Sequence, residues 1–171
     1  MTHRYVLMGV SGCGKTTVGE ALAAQLGLRF IDGDALHPAT NVKKMSDGIP
    51  LDDHDRAPWL ACVGQELARP DGPVIIGCSA LKRDYRDIIR SQTSAPVHFI
   101  HLDAPKDVLA ARVADRPGHF MPASLLESQF EALVPVGPDE LGRKIDITMP
   151  VEEVVAQCAA YIEETNTDAG T

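Results

Sequence analysis

Apolar runs of strand length alternate with amphipathic segments of helix length along most of the chain. YVLMGV (Tyr5–Val10) is short and unbroken, as a strand buried on both faces must be. Glycines follow it, and KTTVGEALAAQLG then reads as a helix stopped at Gly27. LRFID predicts a second strand, and ATNVKKMSDG a short helix ended by Gly48. Asp52 or Asp53 can cap a helix running to about Arg69. PVIIGCS (Pro73–Ser79) predicts a third strand, LKRDYRDIIRSQ a helix, and VHFIHLD a fourth strand. PKDVLAARVADR has a proline near the first turn of its predicted helix, and PGHFMPASLLESQFEALV leads from a glycine- and proline-rich loop into another. IDITM predicts a fifth strand, and PVEEVVAQCAAYIEE a closing helix. The polar tail, residues 165–171, is expected to fray.

Apolar strands separated by helices imply a parallel sheet covered on both faces, an α/β domain. No internal repeat or linker interrupts the pattern, so residues 1–171 are expected to form one domain. The core should be aliphatic, because only 5% of the residues are aromatic.

Composition narrows the class. A net charge of −8 argues against a nucleic-acid surface, which needs clustered Lys and Arg. The four cysteines, Cys13, Cys62, Cys78 and Cys158, contain no Cys-x-x-Cys pair and fit a reducing cytosol. The first apolar run is too short for a signal peptide, and no stretch approaches the ~20 apolar residues of a membrane span. A cytoplasmic protein without nucleic-acid or membrane partners is expected.

The strongest chemical signal is GVSGCGKT, Gly9 to Thr16, a full match to G-x-x-x-x-G-K-[ST] between a predicted strand and a predicted helix. Gly9, Gly12 and Gly14 let the backbone wrap so that successive N–H groups, those around Ser11 and Cys13 included, point at phosphate oxygens. Lys15 can reach the β- and γ-phosphates, the Thr16 hydroxyl can hold Mg²⁺, and Thr17 continues the cradle. Cys13 is either a tolerated small side chain or an oxidisable thiol at a helix N-terminus. The motif implies ATP or GTP, not yet a reaction.

The chain's length and the lack of an Asn-Lys-x-Asp base-reading motif favour a kinase for a small metabolite. The third strand ends IIGCSALK without an acidic residue, so a second carboxylate for Mg²⁺ must come from the second strand, with Asp32 the leading candidate. Asp34 projects past the strand end into the crevice where ligands of open α/β sheets bind. It can accept a proton from an attacking hydroxyl, or cap the following helix.

Further candidates surround this pair. His37 can contact a substrate hydroxyl or serve a turn, and Lys44, beside Lys43, is a substrate contact or part of a solvated helix face. Arg56 suits a substrate carboxylate, or pairs with Asp52, Asp53 or Asp55. Trp59 reads as core. Of Ser79, Lys82, Arg83 and Arg86, at least one is expected to face the ligand. Arg112, Arg116 and His119 surround a Pro-Gly exit, where arginines can close over ATP and exclude water.

Together, GVSGCGKTT, DGDALHPATNVKKMSDGIPLDDHDRAPWL, CSALKRDYRDIIR and RPGHFMPASLLESQFEAL resemble the small P-loop gluconokinase family as far as about Leu133. The D-G-D-x-L-H-P, K-M-x-x-G-x-P-L-x-D-x-D-R-x-P-W-L and C-S-A-L-K blocks are not shared with the related shikimate kinases, which have the same overall plan. The resemblance implies a P-loop NTPase three-layer α/β/α fold with five parallel strands in the order 2-3-1-4-5. It implies a lid at about 116–124, a substrate region at about 34–60 and a homodimer. It also implies phosphorylation of D-gluconate by ATP with Mg²⁺. Lys15 and Thr16 would serve phosphate and metal, Asp34 the acceptor hydroxyl, Arg56 and Lys82 the gluconate, and Arg116 the lid. A kinase for another hydroxy acid such as shikimate, and a non-catalytic nucleotide-binding module, remain the competing readings.

Overall fold

A computed structural model describes residues 2–71, 74–115 and 123–168. Strands β1 (Arg4–Met8), β2 (Phe30–Asp32), β3 (Ile75–Gly77), β4 (Val97–Asp103) and β5 (Gly142–Asp146) form one sheet. Every neighbouring pair is parallel, and the order is β2-β3-β1-β4-β5, as the resemblance implied. The central β1 is buried along its whole length because it has a strand on either side and helices on both faces.

Alternate residues of β1 feed two cores. Tyr5 and Leu7 pack with α1 (Lys15–Leu26), α5 (Lys106–Ala114), α6 (Ala123–Ala132) and α7 (Val151–Asp168), through residues such as Leu22, Leu109, Leu126 and Ile162. Val6 and Met8 pack with α3 (Asp53–Ala68) and α4 (Arg83–Ser91), through Trp59, Leu60, Val63 and Ile89. This period-two division is what an unbroken apolar strand between two helical layers requires. A short helix, α2 (Ala39–Ser46), lies between β2 and α3 in the chain.

Two expectations change at the C-terminal end. The fifth strand starts at Gly142 and ends at Asp146, three residues upstream of the IDITM run. Its register runs from Phe99↔Gly142 to Asp103↔Asp146, and its Arg143 and Lys144 are exposed. An edge strand with a wet side can carry such charges, so the apolar run marked the wrong end of it. The polar segment expected to fray continues α7 as far as Asp168. The Tyr5 hydroxyl holds that last part, 2.7 Å from Thr165 Oγ1 and 3.2 Å from Asn166 Oδ1. Residues 169–171 lie outside the described part.

The strand order decides where a ligand can sit. From β1 the chain moves to β2 and β3 on one side and to β4 and β5 on the other. The crevice beyond the carboxyl ends of β1, β2 and β3 therefore receives the turns after each of them. No helix among the described residues is long and apolar enough to cross a membrane.

Candidate active site

The turn after β1 is the glycine-rich loop. Gly12 and Gly14 have φ of +84° and +92°, in the region that L side chains rarely adopt, and a Cβ on Gly12 would stand 2.5 Å from Val113 Cγ2. The loop feeds straight into α1, whose first residue is Lys15. The Lys15 ammonium donates to the carbonyls of Gly9 at 2.9 Å and Val10 at 3.2 Å. Cys13 is buried, and its thiol packs against Gly9, 3.7 Å from Lys15 Nζ.

Two clefts flank this loop. A polar one of about 160 Å³ is lined by Ser11, Gly12, Gly14, Lys15, Thr16, Thr17, Asp32 and Asp34. The other, about 470 Å³ and largely apolar, lies between the loop and the start of α7, with Arg112, Ile147, Met149 and Val151 in its walls. Arg112 is fixed there by donating to the Ile147 carbonyl at 2.6 Å. Phosphates suit the first cleft, and a flat base suits the second.

The turn after β2 separates the two aspartates. Asp32 caps the 3₁₀ turn Gly33–Leu36 by accepting from the Asp34 backbone N–H at 2.9 Å. Asp34 does not cap the following helix, whose N-cap position is Pro38; the side-chain cap in this turn is supplied by Asp32. The other oxygen of Asp32 accepts from Thr16 Oγ1 at 3.3 Å. These two hard oxygen donors, side by side at the phosphate loop, fit Mg²⁺ that takes its remaining ligands from water and phosphate.

Asp34 is left open. Among the described residues no donor hydrogen-bonds its carboxylate, although it lines the same cleft as Lys15 and Thr16. Its tip reaches solvent, yet the surrounding protein displaces enough water to raise its carboxyl above the ordinary value, and the Asp32 charge raises it further. Lys15 and His37 offset part of that rise.

The turn holding Asp34 is clamped from α3. A Cβ on Gly33 would collide with the Gly77 carbonyl of β3, so only glycine lets the turn tuck in there. Trp59, buried as expected, also donates its indole N–H to the Gly33 carbonyl at 2.8 Å. The His37 ring stacks on Trp59 with centroids 4.1 Å apart. Helix α3 begins with a capping box, in which Asp55 N donates to Asp52 at 2.8 Å and Asp52 N to Asp55 at 3.1 Å.

Arg56 and Lys82 converge on Asp53. Arg56 lies 3.6 Å and Lys82 3.5 Å from Asp53, and both cations lie over the Tyr85 ring. The Tyr85 hydroxyl donates to Asp53 at 2.5 Å. Ser79 stands at the end of β3, where its carbonyl accepts from Gly9 N–H at 3.2 Å.

Other candidates are committed elsewhere. Lys44 Nζ lies 2.9 Å from both oxygens of Asp55 and ties α2 to α3. Arg83 makes a two-pronged pair with Asp139, at 2.8 and 2.6 Å. Arg86 is fully buried and bonded to Glu140, so it does not face a ligand. Arg116, His119 and the expected lid up to residue 122 lie outside the described residues.

Three residues of this neighbourhood escaped the sequence reading. Gln129 of α6 accepts from Ser11 N–H at 2.7 Å and donates to Ser11 Oγ at 3.0 Å, a contact across 118 residues that no local pattern announces. Tyr85 read only as part of an amphipathic helix. Asn41 is buried against His37, and their spacing of four along the chain was the one available sign.

A family model described as an AAA domain matches residues 5–135. The thermosensitive gluconokinase of Escherichia coli is 49% identical over 158 residues, covering 90% of this chain and 84% of that protein. A gluconokinase of Gluconobacter oxydans is 51% identical over 138 residues, covering 79% of this chain and 77% of its own. The crystal structure of a gluconokinase from Sinorhizobium meliloti superposes with a TM-score of 0.89 at 45% identity, over 98% of this chain and 95% of that one.

Proposed function

The chain belongs to the gluconokinase family of P-loop kinases, and we propose that it transfers the γ-phosphoryl group of ATP to the terminal hydroxyl of D-gluconate. The observation that carries this reading is the open carboxylate of Asp34, raised in pKa and lining one cleft with Lys15 and Thr16. A base for an acceptor hydroxyl is needed there and nowhere else in the phosphate site.

In this reading the loop N–H groups and Lys15 hold the ATP phosphates, while Arg112 and the walls of the larger cleft hold the base. Thr16 and Asp32 would hold Mg²⁺, which when bound neutralises phosphate charge. Asp34 takes the proton of the attacking hydroxyl as its oxygen bonds to phosphorus and the bond to ADP breaks. His37 assists at the hydroxyl, and Arg56 and Lys82 receive the acceptor's carboxylate. Most of the acceleration comes from holding the reactants in line. The lid, with Arg116 and His119, excludes water. One domain, a homodimer and a cytoplasmic location belong to the same reading.

A screen of ADP release with gluconate, shikimate and other sugar acids tests it. Gluconate should give the highest kcat/KM. Preferential turnover of shikimate would move the assignment to another hydroxy-acid kinase, and a failure of every acceptor would favour a non-catalytic nucleotide-binding module.

A further inference from the structure

The orientation of one buried amide dictates the proton on a neighbouring imidazole. Asn41 is 2% exposed, so water does not compete for its side chain. Its Nδ2 lies 2.9 Å from the backbone carbonyl of Asp55. A carbonyl only accepts, so the amide must turn its NH₂ group toward Asp55. The same nitrogen lies 3.2 Å from His37 Nδ1. Facing an N–H donor, Nδ1 must present its lone pair, and the proton of the neutral ring is left on Nε2.

Both ends of this relay are held. The Asp55 carbonyl belongs to the first turn of α3, fixed by the capping box and by Lys44. The imidazole is clamped on Trp59 at an interplanar angle of 16°, and Trp59 is bonded to Gly33, next to Asp34. Among the described residues Nε2 has no hydrogen-bond partner, so its N–H remains for a ligand.

We infer that Asn41 is a positioning residue that locks His37 as an Nε2–H donor to the oxygen of the acceptor hydroxyl whose proton goes to Asp34. This rests on the polyhydroxy-acid reading of the site. A hydroxyl has one proton and two lone pairs, so a carboxylate acceptor and an imidazole donor together recognise it. A protonated His37 would weaken Asp34 as a base, and Asn41 opposes protonation by occupying the nitrogen that would gain the proton. Burial also lowers the His37 pKa; the Asp34 charge raises it and Arg56 lowers it, while Lys44 and Asp55 pair with each other.

Nitrogen-15 NMR of the imidazoles in the intact, ligand-free protein reads the tautomer directly. At neutral pH His37 should show a bare Nδ1 and a protonated Nε2; a protonated Nδ1 overturns the inference. In Asn41→Asp a carboxylate can accept from Nδ1–H, so the proton should move to Nδ1. With gluconate, kcat/KM should then fall about tenfold, and its acidic limb should move to higher pH. An unchanged tautomer in a folded Asn41→Asp protein would equally overturn the assignment. A second pair of variants covers the case in which that protein does not fold. The amide nitrogen of His37→Gln reaches the Nε2 position and that of His37→Asn the Nδ1 position. The first should keep kcat/KM within about fivefold, and the second should lose about tenfold or more. Equal losses would refute the donor role. Because the spectra need no acceptor, they decide the role of Asn41 even if gluconate proves to be the wrong substrate.

Discussion

Among the described residues two carboxylates, Glu140 and Asp53, each stand between two Lys or Arg side chains, and the two arrangements could hardly be more different. Glu140, with a side chain 1% exposed, accepts from Arg86 Nε at 2.8 Å, Arg86 Nη2 at 3.0 Å and Arg90 Nη1 at 2.8 Å. The rest of the Arg86 guanidinium is taken up by the carbonyls of Ala80, Leu81 and Pro135. Burial alone would raise the Glu140 carboxyl, yet the bonds from Arg86, the Gly137 N–H and Arg90 outweigh it and pull it down to about 2. Asp53, with a side chain 66% exposed, meets Arg56 and Lys82 at 3.6 and 3.5 Å, and its one tight bond is to Tyr85. In the first cluster all five N–H donors of the buried Arg86 are spent, which makes it structure. In the second, two cations retain unused hydrogen-bonding capacity, and Arg56 lies near enough to His37 to lower its pKa; free donors of this kind are what recognition of an external anion needs.

The contrast breaks most visibly at Asp34, the extreme case of an unspent group. Asp34→Asn should lower kcat by about 10²- to 10⁴-fold while leaving KM for ATP and thermal stability nearly unchanged. Wild-type turnover in that variant would reduce Asp34 to a turn residue. The pH profile carries the same information. Since the Asp34 pKa is raised, its base form is lost as pH falls through a value above that of an ordinary carboxyl, so kcat should drop there first. That limb should vanish in Asp34→Asn.

Glu140→Gln should do the reverse. It leaves a fully buried arginine without its counter-charge, a loss of about 3 kcal/mol or more in unfolding free energy, measurable by denaturant titration. The fraction that remains folded should turn over gluconate at close to the normal kcat. If stability hardly changes and KM rises instead, Glu140 belongs to the site and the two clusters are not distinct in kind.

Arg56→Ala tests the open cluster from the opposite side. Removing a charge-assisted contact should raise KM for gluconate about tenfold to a hundredfold, with KM for ATP unchanged. Stability should stay within about 0.5 kcal/mol of the parent. A selective rise in KM for ATP would sink its role as the acceptor's anchor.

What the sequence could convey follows the range of each interaction. The glycine loop, the strand before it and the helix after it are contiguous, so their chemistry was legible, as were Asp32 and Asp34 at the end of an apolar run. Which aspartate caps the turn was not, since capping depends on one residue's difference in backbone position. Arg86 and Arg83 looked alike because neither Glu140 nor Asp139, more than fifty residues away, enters the local pattern of α4. Asn41 was hidden for a related reason: its meaning lies in the Asp55 carbonyl, and a backbone acceptor leaves no trace in residue identities. The edge strand β5 was misplaced because its pairing comes from β4 and not from its own hydrophobicity.

The smallest expected effect distinguishes an organised open cluster from a merely loose one. The Tyr85 ring is nearly buried, and among the described residues its hydroxyl is the only short contact that holds Asp53 between Arg56 and Lys82. That bond is the largest cause of the lowered Asp53 pKa, whereas burial is the largest cause of the raised Tyr85 pKa. Tyr85→Phe keeps the ring beneath both cations and deletes only the bond. Asp53 should then be free to close on either cation and compete with an incoming carboxylate, raising KM for gluconate about threefold to fivefold with kcat and KM for ATP unchanged. A change in kcat of the same size would mean that Tyr85 acts on the reacting hydroxyl. No change at all would mean that Arg56 and Lys82 are placed by their own helices, so that the openness of this cluster needs no organiser.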